Sequence, residues 1–336
     1  MKVSVLTKAS KGYGYGHLRR SNILSGFLNS EGISSQVIDI TLACSEGVDG
    51  DVIITDAREI RTDELRKLLK SGRPVVSFDD TETFKPYSVS IMSLPYLNLW
   101  GPSPNYEGVD FLVLDPSILK FRTHECEFDV LITFGGEDPN NLTEFVLSKF
   151  AEVEEIRNFK VSVLIGILFR NKDSLRQRAE RLGIVAIEPD DPTDVINAIS
   201  KSRLVLTSFG ITVYESLVLG KKVVLLNNSE YHELIFRKSG LTDFVESLGV
   251  YYEFDSLQFL EIIERILGDE DGFKMFGVNP FENLGRIKSL VERVYSSWDE
   301  EKYQCLLLHD VFCTYRGEGI SEFFCKDCTK KLVFRF

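Results

Sequence analysis

Long apolar runs are what this chain most plainly lacks. None reaches the roughly 18 residues that a membrane-crossing helix needs, and the N-terminus enters a strand pattern directly, without a signal-peptide core. Both absences point to a cytoplasmic protein with no membrane span. A cationic excess is missing too. Lysine and arginine total 39 against 51 acidic residues, and a net charge of −12 argues against sequence-independent binding to nucleic acid or to an anionic membrane. A phosphorylated ligand would therefore have to be gripped locally. Histidine is scarce, with four in the chain, and six cysteines among 336 residues are too few for a disulfide framework. Ordinary fractions of hydrophobic and charged residues, 43% and 27%, argue against disorder and fibrous architectures. The length fits two domains of ordinary size with a remainder.

What the chain does have is alternation. Short apolar runs at 3–6, 35–40, 52–55 and 75–78 alternate with helical patterns at 18–31 and 62–71, which predicts βαβ units and a parallel sheet. Gly32 and Gly72 stand where helix C-caps belong, and Pro74 precedes a strand. From 86 to 116 the periodicity weakens into irregular chain with one short strand expected at 111–114, and the interdomain link is expected near 120–127. The plan then repeats. Strands are expected at 130–133, 161–167, 184–187, 204–207 and 223–226, and helices at 142–152, 172–182, 193–200 and 212–219, closed by helices at 259–267 and 284–295. The predicted fold class is α/β, with two Rossmann-like doubly wound domains (1–124 and 125–296) facing a cleft. A small cysteine-containing C-terminal appendix occupies 297–336.

Two glycine-bearing turns sit where strands hand over to helices. The first, from Gly12 to Arg20, reads GYGYGHLRR. Its glycines allow positive φ and close approach of backbone to a ligand, and the helix that follows offers unpaired N–H groups to an anion. His17 and Arg20 share one face of that helix, a candidate base beside a fixed positive charge. The second turn is Ser208-Phe209-Gly210-Ile211-Thr212, with Glu215 one turn into the next helix. Asp56 and the pair Asp79 and Asp80 end predicted strands, the edge of an open α/β sheet at which ligands bind. For the aspartate pair, capping of the following turn is an equal reading.

The tail poses a separate question. Four of the six cysteines, Cys305, Cys313, Cys325 and Cys328, fall in the last 32 positions. His309, Cys313, Cys325 and Cys328 are candidate ligands for a structural zinc, with Cys305 able to replace His309. The first pair departs from the usual spacing, so free thiols in a small β appendix stand as the alternative. A catalytic zinc fits least, for want of a nearby glutamate base and an open coordination position.

Four landmarks occur in order: Gly14-x-Gly16-His17-x-x-Arg20, Asp79-Asp80, Phe134-Gly135-Gly136-x-Asp138-Pro139, and Gly210-x-Thr212-x-x-Glu215 followed by Gly220. Over about residues 1–295 they resemble the UDP-sugar hydrolases of pseudaminic acid biosynthesis and their spore-coat polysaccharide relatives, enzymes with the two-domain GT-B architecture of nucleotide-sugar glycosyltransferases. The resemblance implies a UDP-sugar substrate whose sugar lies over the first glycine turn, at Gly14, Gly16, Arg20, Asp79 and Asp80. The UDP would lie at Gly135, Gly136, Ser208, Phe209, Gly210, Thr212 and Glu215, with Glu215 on the ribose and Phe209, where relatives carry a glycine, against uracil. His17 would be the base in a metal-independent, inverting hydrolysis of a UDP-linked 2,4-diacetamido-trideoxyhexose. Imidazole suits that work because it ordinarily titrates near neutral pH. Three alternatives remain: a glycosyltransferase using a UDP-sugar donor, a non-catalytic nucleotide-binding module with the tail as its partner-facing part, and a sugar-nucleotide 2-epimerase. The scarcity of histidine disfavours the epimerase.

Overall fold

Strands of the first unit run β1 (Lys2–Thr7), β2 (Ser34–Asp39), β3 (Val52–Asp56), β4 (Val75–Phe78), β5 (Val89–Met92) and β6 (Tyr106–Glu107). They form one fully parallel sheet in the order β2-β1-β3-β4-β5-β6. β3 and β4 are buried along their whole length, as a parallel sheet covered on both faces requires. The computed structural model describes residues 1–8, 15–57, 60, 64, 67–68, 71–80, 89–96, 104–268 and 276–298, together with strands at 311–316, 320–325 and 331–335.

Two helices cover one face of this sheet. Helix α1 (Tyr15–Ser30) contributes Leu24 and Leu28 to a core with Val3, Val5, Ile54, Val76 and Phe78. The last long helix, Pro280–Ser297, adds Leu284, Ile287, Leu290, Val291 and Val294 to the same core. Those residues recur at helical spacing and make one apolar stripe. Each such side chain, fully buried, contributes about 1.5–3 kcal/mol. Asn283, in the same helix, is buried and donates to the carbonyls of Val109 and Leu112 at 2.7 and 3.1 Å, which ties the helix to this unit. The opposite face packs Leu6, Ile53 and Val75 against Ile40 and Ala43 of α2 (Ile40–Glu46), a helix capped by Asp39.

The second unit repeats the scheme with β7 (Phe128–Ile132), β8 (Val161–Leu164), β9 (Val185–Ile187), β10 (Ser202–Thr207), β11 (Lys222–Asn227) and β12 (Val245–Val250). All pairings are again parallel, in the order β12-β11-β10-β7-β8-β9. Its helices are α3 (Leu142–Phe150), α4 (Lys172–Arg181), α5 (Pro192–Ser200), α6 (Ile211–Val218), α7 (Glu230–Lys238) and α8 (Ser256–Gly268). The helix Pro280–Ser297 is then α9. In the tail, β13 (Val311–Arg316), β14 (Ile320–Cys325) and β15 (Lys331–Arg335) pair antiparallel in sequence order.

The division of the chain differs from the sequence expectation. The units are Met1–Asp115 with Asn279–Phe336, and Pro116–Val278, so the boundary falls at 115/116 rather than 124/125. Helix α9, expected to close the second domain, belongs with the first, because its apolar stripe is buried in the first unit's core. The strand expected at 111–114 is instead a short 3-10 turn at Val109–Phe111 leading into extended chain. Two short strands, β5 and β6, lie in the region expected to be irregular. The expected helix at 62–71 lies largely outside the described residues.

The two strand orders locate the sites. In the first sheet the chain leaves β1 for β2 on one side and returns to β3 on the other, so the topological switch lies between β1 and β3. In the second sheet the corresponding switch lies between β7 and β10. Ligands of open α/β sheets bind beyond the carboxyl ends of the strands at such switches.

Candidate functional site

At the first switch a buried polar cluster joins helix α1 to the ends of three strands. His17 sits in the first turn of α1, with 16% of its side chain exposed, and its Nδ1 lies 2.7 Å from Oδ1 of Asp56. Asp56 ends β3, and its register partner is Thr7 at the end of β1. One helical turn beyond His17, Arg20 spreads its guanidinium over two carboxylates. Nε donates to Asp56 Oδ2 at 2.8 Å, Nη2 donates to Asp56 Oδ1, and Nη1 donates to Asp79 Oδ2. Asp79 follows β4 with φ of 49°, a left-handed backbone that a short polar residue tolerates. Its Oδ1 accepts from the backbone N–H of Ser93 at 2.6 Å, and its Oδ2 from the Ser93 hydroxyl at 2.8 Å. Asp56 and Asp79 are 2% and 6% exposed and Arg20 is 7% exposed, so the cluster is shielded from water.

Burial alone would raise the pKa of Asp56, but the charge and hydrogen bonds of Arg20, followed by those of His17, outweigh it and hold the carboxyl below its ordinary range. Burial opposes the charge on Arg20, and the two aspartates more than compensate, so its pKa is raised. The guanidinium carbon also lies 5.9 Å from the centre of the Phe78 ring. Arg20, expected to touch the sugar, is thus directed onto Asp56 and Asp79, and Asp79 onto Arg20 and Ser93. Asp80 is half-buried beside them, and Gly16 is exposed in the first turn of α1. Gly14 lies outside the described residues.

At the second switch, β7 runs into Gly135 and Gly136. Gly135 has φ of 85°, which glycine adopts without a steric cost. Gly166, just beyond β8, packs directly against this turn. A Cβ there would lie 2.6 and 2.7 Å from the carbonyl oxygens of Gly136 and Gly135 and 2.5 Å from the Phe169 ring. Asp138 caps α3 by accepting from the N–H groups of Leu142 and Thr143, both at 2.8 Å.

Beyond β10 come Ser208, Phe209 and Gly210, then α6, whose N-cap Gly210 supplies no side-chain cap. The φ of Gly210 is 172°, extended backbone open to any residue. Among the described residues, the Ser208 Oγ and, at the end of the neighbouring strand β11, the Asn228 Oδ1 are buried with no hydrogen-bond partner. Thr212 is half-buried in the first turn of α6, and Glu215 is 3% exposed one turn further on. The expectation for Phe209 is corrected. Its ring is 6% exposed and packs on Tyr214 and Phe236, and its N–H donates to Asn227 Oδ1 at 2.9 Å, so it has little face to offer a base.

Sequence reasoning brought His17, Arg20 and Asp79 to one place. It named Asp56 as a strand-end residue but not as the partner of His17, and it missed Ser93 and Gly166. The β1–β3 pairing that brings Asp56 beside α1 is a tertiary fact. Gly166, inside the run 161–167 read as strand, carried the signal of a glycine inside an apolar run. In the tail, Cys305, His309 and Cys328 lie outside the described residues, and Cys313 and Cys325 are described only as backbone in β13 and β14. Among the described residues no helix is long and apolar enough to cross a membrane.

Comparison with known proteins gives no matching family model. The chain is 23% identical over 277 residues to the uncharacterized protein MJ1062 of Methanocaldococcus jannaschii, covering 68% of this chain and 56% of that protein. It is 23% identical over 208 residues to the spore coat polysaccharide biosynthesis protein SpsG of Bacillus subtilis, covering 59% of this chain and 58% of SpsG. It therefore spans less than two thirds of the curated relatives' length. Among solved structures, the UDP-GlcNAc 2-epimerase of Neisseria meningitidis bound to UDP-GlcNAc superposes with a TM-score of 0.51 at 14% identity, over 88% of this chain and 99% of that one. This likeness establishes the fold, two Rossmann-like α/β domains of GT-B type.

Proposed function

We propose that the protein processes a nucleotide sugar, and specifically that it hydrolyses a UDP-linked amino sugar with inversion, giving the free sugar and UDP. The observation that carries this reading is the ring of His17. It stands at the switch of the first sheet with Nδ1 engaged by Asp56, and among the described residues no partner occupies Nε2. An imidazole so placed takes a proton at Nε2.

In the reaction, the oxygen of a water attacks the anomeric carbon as its proton passes to His17 Nε2. The bond from that carbon to the β-phosphate oxygen breaks, and its electron pair leaves with UDP. Donors set in advance around the departing diphosphate stabilise the charge that develops there. The candidate groups lie at the second switch: the Gly135–Gly136 turn, the first N–H groups of α6, and Ser208. Glu215 is the candidate for the ribose hydroxyls. A 2,4-diacetamido-2,4,6-trideoxyhexose is the proposed sugar class, on the resemblance carried by the four sequence landmarks, and neither chemistry nor grip in this scheme calls on a metal.

The test incubates the purified chain with a panel of UDP-sugars, including UDP-GlcNAc and UDP-linked diacetamido-trideoxyhexoses. UDP release is followed by a coupled assay and the first-formed anomer by proton NMR. Release of UDP with an inverted anomer, abolished by His17→Ala, is expected. No UDP release from any member, or release indifferent to His17→Ala, overturns the proposal. Glycosyl transfer to an added acceptor far above hydrolysis replaces it with the transferase reading.

A further inference from the structure

We propose that Asp56 and Arg20 are positioning residues that hold His17 in the Nδ1–H tautomer and keep the abstracted proton on the imidazole. The inference rests on the reading of His17 as a base, and three observations carry it. First, an ionised carboxylate only accepts hydrogen bonds, so the 2.7 Å contact between Asp56 Oδ1 and His17 Nδ1 requires the hydrogen to sit on Nδ1. The lone pair is then on Nε2, the nitrogen that faces no described partner. Arg20 Nη2 also approaches Nδ1, at 3.4 Å, and a donor there would favour the opposite tautomer. The shorter, charge-assisted contact wins.

Second, Arg20 grips both oxygens of Asp56, through Nε and Nη2, in the fork geometry that a guanidinium has and an ammonium lacks. Because arginine does not release its proton, Asp56 remains a fixed anion. The proton taken from water therefore stays on the ring, and the imidazolium that results faces that anion. No relay onto Asp56 follows.

Third, the fork is anchored at its far end. Asp79 receives Nη1 of Arg20 and is itself held by the backbone N–H of Ser93 at 2.6 Å, the Ser93 hydroxyl at 2.8 Å and the Leu94 N–H at 3.3 Å. Orientation of the ring thus passes from the ends of β4 and β5 through Arg20 to Asp56. Ser21, one residue beyond Arg20, adds a hydroxyl 3.4 Å from Asp56 Oδ2. A buried, fully engaged chain of this kind holds a side chain to one rotamer at the first turn of α1.

The decisive measurement is nitrogen-15 NMR of the full chain labelled in its histidine rings. The chain has four histidines, and the His17 resonances are assigned as those absent from His17→Gln. With the ring neutral, wild-type His17 is expected to show a protonated Nδ1 and an unprotonated Nε2. In Asp56→Asn the populations should shift toward the other tautomer. UDP release by that variant should fall roughly 10²–10⁴-fold in kcat with KM within about twofold. Arg20→Lys should lose kcat in the same sense while leaving KM largely unchanged.

A wild-type ring protonated on Nε2 overturns the inference, as does an Asp56→Asn variant that keeps the wild-type tautomer and kcat. The wild-type spectrum needs no variant of the network, so misfolding of Asp56→Asn does not shield the idea. The tautomer is also read without substrate. Turnover that depends on His17 in a protein with the wrong tautomer refutes this inference alone. The expected tautomer in a protein that releases no UDP refutes the functional proposal alone.

Discussion

Replacing Arg20 by methionine tests the buried cluster most severely. The substitution keeps a linear side chain of similar volume but leaves Asp56 and Asp79, 2% and 6% exposed, without the one cation they share. Breaking a buried ion pair by removing one partner costs about 3–5 kcal/mol, chiefly because a charge stays buried and uncompensated. Here two carboxylates lose their shared partner. Part of that cost is relieved when one of them takes up a proton, so about 3–5 kcal/mol remains the expected loss. For a unit of this size each kcal/mol moves the melting temperature by about 2–4 °C, and a fall on the order of 10 °C should follow in the transition of the first unit. Differential scanning calorimetry of Arg20→Met at pH 7 provides the assay. The triple variant Arg20→Met, Asp56→Asn, Asp79→Asn supplies the control, since removing all three charges together should restore much of the stability. A single variant that melts within 2 °C of wild type would refute the reasoning, because it would mean that water screens the cluster. Restoration absent from the triple variant would show that the loss came from packing and not from charge.

Two further outcomes follow from the same geometry. The pKa of Asp56 is depressed in the folded state, so the stability that its ionised form contributes is fully present above about pH 4, the unfolded value. That contribution disappears as pH falls through the lower folded value. The difference in urea midpoint between wild type and Asp56→Asn should therefore shrink below pH 4, and a difference that persists unchanged to pH 2.5 would contradict it. In the second unit, Gly166→Ala places a Cβ within 2.7 Å of two backbone carbonyls, which cannot swing aside as a side chain can. A loss of about 1–3 kcal/mol by urea unfolding is expected, and a loss under about 0.5 kcal/mol would show that the Gly135–Gly136 turn yields freely.

How much of this was legible in the sequence depends on which link of the chain is asked about. The alternating runs declared two parallel α/β sheets, because burial on both faces leaves nearly continuous apolar strands such as Val52-Ile53-Ile54. His17 and Arg20 were legible as a pair because three residues separate neighbours on one helix face. Asp56 was not legible as their partner, since a strand-end aspartate looks the same whether it caps a turn or meets a side chain across the β1–β3 pairing. Helix α9 shows a clear apolar stripe, but a stripe does not say which core it enters, and only packing on Leu24, Leu28 and the first sheet answers that. Phe209 misled for a related reason. A phenylalanine in a ligand-facing turn reads as an aromatic platform until Tyr214 and Phe236 are found against its ring. Strand β12 escaped notice because its buried positions, Val245, Leu248 and Val250, do not alternate evenly, with Glu246, Ser247 and Gly249 between them.

The two switch points differ in a way that bears on their work. At the first, His17 Nδ1, Arg20, Asp56 and Asp79 all satisfy one another, so the protein itself completes the hydrogen bonding that holds the ring. At the second, the Ser208 Oγ and the Asn228 Oδ1 are buried at the ends of adjacent strands and, among the described residues, unpaired. Each such atom costs about 1–3 kcal/mol, which a ligand that bonds to it would return. A self-satisfied cluster suits a group that must be held still, and an unsatisfied one suits a place where something else binds. If that contrast is functional, UDP should raise the melting of the unit Pro116–Val278 by mass action, about 2.7 kcal/mol at one hundred times its dissociation constant, and leave the first unit's transition in place. Ser208→Ala should weaken the effect by removing a bond available only to the liganded state. Stabilisation confined to the first unit, or UDP binding indifferent to Ser208→Ala and Asn228→Ala alike, would mean that the unpaired atoms at β10 and β11 have no part in holding the nucleotide.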